Sequence, residues 1–235
     1  MVFNSVDFLV FFPIVVLIYF LVPKKIRYVW LLIASYYFYM SWNPKYAVLL
    51  AVSTVTTYLC GIFLGKTENK KTKNWILAGT FVANLGILFF FKYFDFALAN
   101  VNRVLGQFGI GAIEKPFDVL LPIGISFYTF QALGYTMDVY RGETPPEKNI
   151  LRYALFVSFF PLLAAGPIER SKNLMKQIQN VHTFRLWNYE NITGGAVMML
   201  WGYFQKMVIA DAIFIDSDHF FEKVIIFAML LGVLG

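Results

Sequence analysis

The sequence is poor in the residues that build disulfides and metal centres. Cysteine occurs once in 235 residues, as Cys60 inside an apolar run. A single cysteine excludes an intrachain disulfide and any cysteine metal cluster. Histidine occurs twice. His182 lies in a polar stretch with Thr183, Arg185 and Asn188, and His219 follows the acidic Asp216 to Asp218. Neither has metal-ligand spacing, so no metal is expected. No glycine-rich phosphate loop, nucleophile elbow or zinc pattern occurs either. Charge is scarce: 14% of residues are Asp, Glu, Lys or Arg, where soluble domains carry about a quarter. The stretch before the first apolar run, Met1 to Asp7, lacks a basic region and carries an acid. It does not read as a cleaved signal peptide.

What fills the chain instead is apolar and aromatic. Hydrophobic residues make up 59%, with 26 Phe and 14 Tyr. The reading is an all-α, polytopic membrane protein whose partner is the lipid bilayer. A bilayer core of about 30 Å needs about 20 apolar helical residues. Runs that answer to this are Val6 to Val22, Val29 to Trp42, Tyr46 to Gly65, Trp75 to Phe91, Val119 to Val139 and Ile192 to Ala210. Phe94 to Ile113 is broken by Asn100, Asn102, Arg103, Gln107 and three glycines and reads as an interfacial or amphipathic segment. Val224 to Gly235 is too short to span, so the chain is expected to be truncated within a final helix. Residues 1–235 then form a single, incomplete membrane-embedded domain with about seven apolar segments.

Net charge is +6, and the cations sit in short loops. That pattern speaks for membrane orientation and against a nucleic-acid partner. Lys24, Lys25 and Arg27 follow the first run, and Lys66, Lys70, Lys71 and Lys73 follow the third. The positive-inside rule places those loops in the cytoplasm and the N-terminus outside. Arg141, Lys148 and Arg152 fall inside too. Arg170, Lys172, Lys176 and Arg185 keep to the rule only if Leu151 to Pro167 does not cross. Pro161 and Ala164-Ala165-Gly166-Pro167 are poor material for a continuous helix. A re-entrant element lining a cavity open to the cytoplasm is therefore expected.

Candidate site residues cluster on one helix face. Gly124, Tyr128, Gln131, Tyr135 and Asp138 recur at steps of four and three. A polar face within a membrane helix turns inward. It serves either as the wall of a substrate tunnel or as interhelical hydrogen bonding. Asp138 and Arg141, three apart, are expected to pair at the interface, with Arg141 snorkelling or holding an acyl-carrier phosphate. Arg170, in Gly166-Pro167-Ile168-Glu169-Arg170, either meets phosphate or carboxylate or belongs to a solvated turn. Lys206 is read as snorkelling. None of these residues is a convincing catalytic base.

Leu121-Pro122-Ile123-Gly124-Ile125-Ser126-Phe127-Tyr128-Thr129-Phe130-Gln131, followed by Asp138-Val139-Tyr140-Arg141-Gly142, resembles the membrane-bound O-acyltransferase family. Phe3-Asn4-Ser5, Tyr36-Tyr37-Phe38-Tyr39, Gly166-Pro167-Ile168-Glu169-Arg170 and Gln205-Lys206-Met207-Val208-Ile209-Ala210-Asp211 fit its alginate O-acetylation branch. The resemblance implies the N-terminal portion of an O-acetyltransferase of the bacterial inner membrane. It implies a cytoplasmic acyl thioester donor such as acetyl-CoA and no bound cofactor. A polysaccharide acceptor such as alginate and a periplasmic or extracellular acyltransferase partner go with it. The family's essential histidine belongs to a Trp-His-Gly type segment beyond the equivalent of Gly235. No catalytic role passes to His182 or His219, and these residues alone are expected to be inactive. Peptidoglycan acetylation and D-alanyl transfer are close variants. A transporter or a non-catalytic scaffold is the competing class; a transporter predicts inverted repeats, and none is found.

Overall fold

The computed structural model describes residues 5–108, 111, 113, 122, 124–163, 171–181 and 189–205. The helices are α1 (Val6–Leu21), α2 (Arg27–Met40), α3 (Pro44–Lys66), α4 (Lys70–Gln107), α5 (Ile125–Tyr140), α6 (Ile150–Ser158), α7 (Phe160–Leu163), α8 (Ser171–Gln179) and α9 (Tyr189–Phe204). A single 3-10 turn, Lys24–Ile26, precedes α2. No strand occurs among the described residues.

Local sequence accounts for several helix starts. Asn43, Asn69 and Asn149 are the N-caps of α3, α4 and α6. Their side-chain oxygens accept from Lys45 N at 3.0 Å, Lys71 N at 2.9 Å and Leu151 N at 2.9 Å. Each cap satisfies an amide that the first helical turn leaves without a partner. Pro44 follows Asn43 at the start of α3, where its missing N–H costs nothing.

The chain divides into two compact units. The larger, Ile14–Phe184, holds α2 to α8. In it α3 packs on α2, α4, α5 and α6, and α8 packs on α5 and α6. The smaller unit comprises Val2–Pro13 and Arg185–Gly235 and contains α9. Within it Ser5 Oγ accepts from Phe8 N at 3.2 Å, and the Phe8 and Phe12 rings stack at 5.8 Å.

The pattern of burial is the reverse of that in a soluble bundle. On α3 the buried stripe includes Ser53, Thr54, Thr57, Cys60 and Gly61. Val48, Val52, Val55, Leu59 and Phe63 face outward. On α4 the buried positions are Thr80, Asn84 and Leu88, while Trp75, Val82, Phe89 and Phe96 are exposed. Lipid is the solvent that suits such an exterior. Small and hydroxyl-bearing residues then bring helices close. Thr54, Thr57 and Thr80 return their hydroxyls to the carbonyls of Leu50, Ser53 and Ile76 at 2.6–2.9 Å, so they need no water. Gly61 lets α5 approach: a Cβ there would stand 2.9 Å from Cε1 of Tyr135.

Two described helices are long and apolar enough to cross a membrane, α3 and α4. One expectation is corrected here. Phe94 to Gln107 is no separate segment; α4 runs through it as one helix of 38 residues, about 57 Å long. The polar residues that suggested a break are accommodated on the helix itself. Asn100 Nδ2 bonds back to Phe96 O at 2.7 Å, and Asn102 ties down Ile113.

Candidate functional site

The inner face of α5 is where the sequence places its polar residues, and the structure packs the helix against α3, α4, α6 and α8. The helix starts at Gly124, whose φ of 74° is left-handed. The site has no room for a side chain. A Cβ at Gly124 would lie 2.2 Å from the Leu163 carbonyl oxygen. The start of α5 is thus pressed onto the end of α7.

One turn on, Tyr128 is buried and meets Tyr39 edge to face at 6.4 Å. The two hydroxyls face each other, and neither has a hydrogen bond of regular geometry among the described residues. Gln131 is buried too, and its Nε2 donates to Phe156 O at 2.7 Å. Tyr135 packs against Tyr153 at 4.6 Å with the rings tilted, and it accepts from Glu147 N at 2.8 Å. Asp138 accepts from the Ser171 hydroxyl and so holds the first residue of α8.

The expected Asp138–Arg141 pair is not formed. Asp138 is taken by the Ser171 hydroxyl of α8, and Arg141, the C-cap of α5, turns to the loop that follows. Arg141 lies 3.9 Å from Glu143 in a solvent-exposed pair, which contributes little. Arg170, His182, His219 and Lys206 lie outside the described residues.

Gln131 acts at a break in the backbone. Between α6 and α7, Phe159 has φ −57° and ψ 108°, which is not helical. In an unbroken helix Phe160 N–H would donate to Phe156 O. Here Phe156 O accepts from Gln131 on α5, and Phe160 N donates to Ser35 Oγ on α2 at 3.3 Å. Two side chains from different helices therefore satisfy the pair of backbone groups that the break exposes. Buried groups of that kind are almost always paired. Pro161, which has no N–H to give, follows the break directly.

Several residues of this framework were not singled out in the sequence. Glu147 is buried, and both carboxylate oxygens are occupied, by Asn149 N at 2.9 Å and by Gln179 Nε2 at 2.6 Å. Nothing in Pro145-Pro146-Glu147-Lys148-Asn149 distinguishes it from a solvated acid. Tyr153 donates to Thr57 Oγ1 at 2.8 Å, and Ser53 to Asn84 Oδ1 at 2.7 Å. Asn84 did carry a signal, as a lone amide in a long apolar run.

No family model matches the chain, and no solved structure matches it. Curated relatives do. The protein named "Probable alginate O-acetylase AlgI" of Pseudomonas putida is 38% identical over 227 residues, which is 94% of this chain and 45% of that protein. Its namesake in Pseudomonas syringae is 39% identical over 94% of this chain and 42% of its own length. The "Peptidoglycan O-acetyltransferase" of Helicobacter pylori is 35% identical over 83% of this chain and 40% of its length. The chain spans less than half the length of these relatives. By this similarity along nearly all of its residues, and by the α5 motif that led to it, the chain belongs to the membrane-bound O-acyltransferase family, in the branch of the alginate O-acetylases.

Proposed function

We propose that the protein is part of an O-acetyltransferase that moves an acetyl group across a bacterial inner membrane onto an exported polysaccharide such as alginate. The observation that carries this reading is the match over 94% of the chain to relatives named alginate O-acetylase. The donor in this reading is a cytoplasmic acyl thioester, acetyl-CoA or a chemical equivalent, and no cofactor stays bound. A periplasmic or extracellular acyltransferase receives the group.

The chain passes the membrane several times as one embedded domain with its N-terminus outside and about seven apolar segments. The α6–α7 break supports a re-entrant element. At nine residues, α6 reaches only about 14 Å, and its broken end is capped by protein, which is the condition for irregular backbone at membrane depth. In this reading Tyr128, Gln131, Tyr135, Asp138, Arg141 and Arg170 are the substrate-tunnel candidates on the strength of the α5 sequence motif, while the burial of Tyr128, Gln131 and Tyr135 among neighbouring helices supports a part in holding the bundle together.

The second reading is peptidoglycan acetylation, favoured by the 35% identity to the Helicobacter pylori protein. A segment exchange separates the two. The chain replaces the matching residues of the Pseudomonas putida relative, and acetyl ester on alginate and on peptidoglycan is measured in cells. Ester on alginate supports the first reading, and ester on peptidoglycan alone supports the second. A chimera that inserts in the membrane at normal abundance and esterifies neither overturns both.

A further inference from the structure

An open groove of about 580 Å³ runs along the lipid-facing surface of α3. It lies within the larger unit. Met40, the last residue of α2, and α3 residues from Pro44 to Thr56 line it. Thr56 apart, every lining side chain is apolar, and the Thr56 hydroxyl is returned to Val52 O at 2.7 Å. The groove therefore asks its occupant for no hydrogen bond. Ala47 and Ala51 leave the depression, because Val48, Val52 and Val55 beside them carry more bulk and stand exposed.

Length and charge both bear on the occupant. Pro44 to Thr56 is about 18 Å of helix, and one leaflet of a bilayer core of about 30 Å is about 15 Å deep. The groove thus starts at the membrane interface and ends near the midplane, as an acyl chain does. A transmembrane helix seated on α3 would need contact along the whole core. Trp42 stands half exposed just before Pro44, where an indole suits the interface. Lys45 is exposed, and steps of three and four put it on the Val48–Val52–Thr56 edge of the groove. A helical Cβ tilts towards the N-terminus, so the Lys45 stem leans to the headgroups. No acid occurs between Asp7 and Glu68, and the positive end of the α3 dipole adds to the same field. A two-fold pair of chains through this groove would bring Lys45 against Lys45, which like charge opposes.

We propose that this groove holds one acyl chain of an anionic phospholipid, with the Lys45 ammonium at its phosphate. The orientation proposed above puts that lipid in the outer leaflet. The site is independent of the acyl reaction and of its donor.

The test is photolabelling. The protein is placed in phosphatidylcholine nanodiscs with phosphatidylglycerol that carries a diazirine on its acyl chain, and the labelled peptides are identified by mass spectrometry. Label is expected between Pro44 and Thr56, displaced by unlabelled phosphatidylglycerol and not by added phosphatidylcholine. Lys45→Gln is expected to reduce it about fivefold, the factor one lysine contributes at an anionic surface. Lys45→Arg keeps it. Ala51→Phe fills the groove and removes the label from that stretch. Lys92→Gln, at an exposed lysine of α4 that does not line the groove, leaves it unchanged. Melting temperatures identify a variant that has merely unfolded; the surface change Lys45→Gln keeps the test open if Ala51→Phe does not fold. Label that phosphatidylcholine displaces equally, or that is indifferent to Lys45 and Ala51, is ordinary boundary lipid and overturns the proposal. A disulfide-linked dimer formed by Val52→Cys in native membranes, with Cys60→Ala as background, gives the groove to a second copy and overturns it too.

Discussion

Gly124 and Gln131 show how much one position decides. At Gly124 a methyl group would meet the Leu163 carbonyl oxygen at 2.2 Å on a backbone with φ 74°. The left-handed backbone alone costs a non-glycine residue about 1–2 kcal/mol, and the clash adds to it. Gly124→Ala is therefore expected to lower the melting temperature in detergent sharply or to abolish folded protein. Gln131→Leu leaves Phe156 O buried without a donor and should cost about 1–3 kcal/mol. Tyr128→Phe removes a hydroxyl whose neighbour is the Tyr39 hydroxyl and which makes no hydrogen bond of regular geometry among the described residues. It should be neutral or slightly stabilising by the same thermal measurement; a loss as large as that of Gln131→Leu would mean that the hydroxyl holds something. The spacing of these residues along α5 was legible from the sequence. Their partners, a carbonyl for Gln131 and an amide for Tyr135, were not, because both belong to segments distant along the chain.

At the scale of elements, side chains do at two places what backbone alone does elsewhere. At the α6–α7 break, Ser35→Ala removes the acceptor for Phe160 N. Hydrogen exchange at that amide should then accelerate, with little change at the caps of α3 and α4. Between α3 and α4 the Ser53–Asn84 hydrogen bond is a buried polar link. A double-mutant cycle with Ser53→Ala and Asn84→Leu is expected to give a coupling of about 0.6 kcal/mol, the size usual between membrane helices. A coupling near zero would assign the contact to packing alone. The proline and small residues of Leu151 to Pro167 announced an interruption. They could not say that it falls at Phe159, where two neighbouring helices offer Ser35 and Gln131. The continuity of α4 was misread for a related reason. Asn100 and Asn102 look like a break in a hydropathy pattern, yet asparagine can bond to the backbone around it and leave the helix intact.

For the whole molecule, the claim most open to test is orientation. Cys60 is buried, so replacing it with alanine gives a background for single cysteines. Cysteines at Lys25, Lys71 and Glu143 should react with an impermeant thiol reagent only from the cytoplasmic face. A cysteine at Trp42 should react only from outside. Labelling of Lys71 from outside would invert the proposed topology.

Composition, the long apolar runs and the charge of the loops determined by themselves that the chain is helical and lipid-bound, because both follow from local hydropathy and the length a bilayer demands. The α5 motif likewise carried the family. Tertiary structure decided the rest. It decided that Arg141 pairs with Glu143 and not Asp138, that Asp138 meets Ser171, and that Glu147 is buried among neutral donors. The physical reason is the packing of α8 on α5 and α6: it brings Ser171 to Asp138 and Gln179 to Glu147, partners more than thirty residues away, and leaves Arg141 to the nearby Glu143.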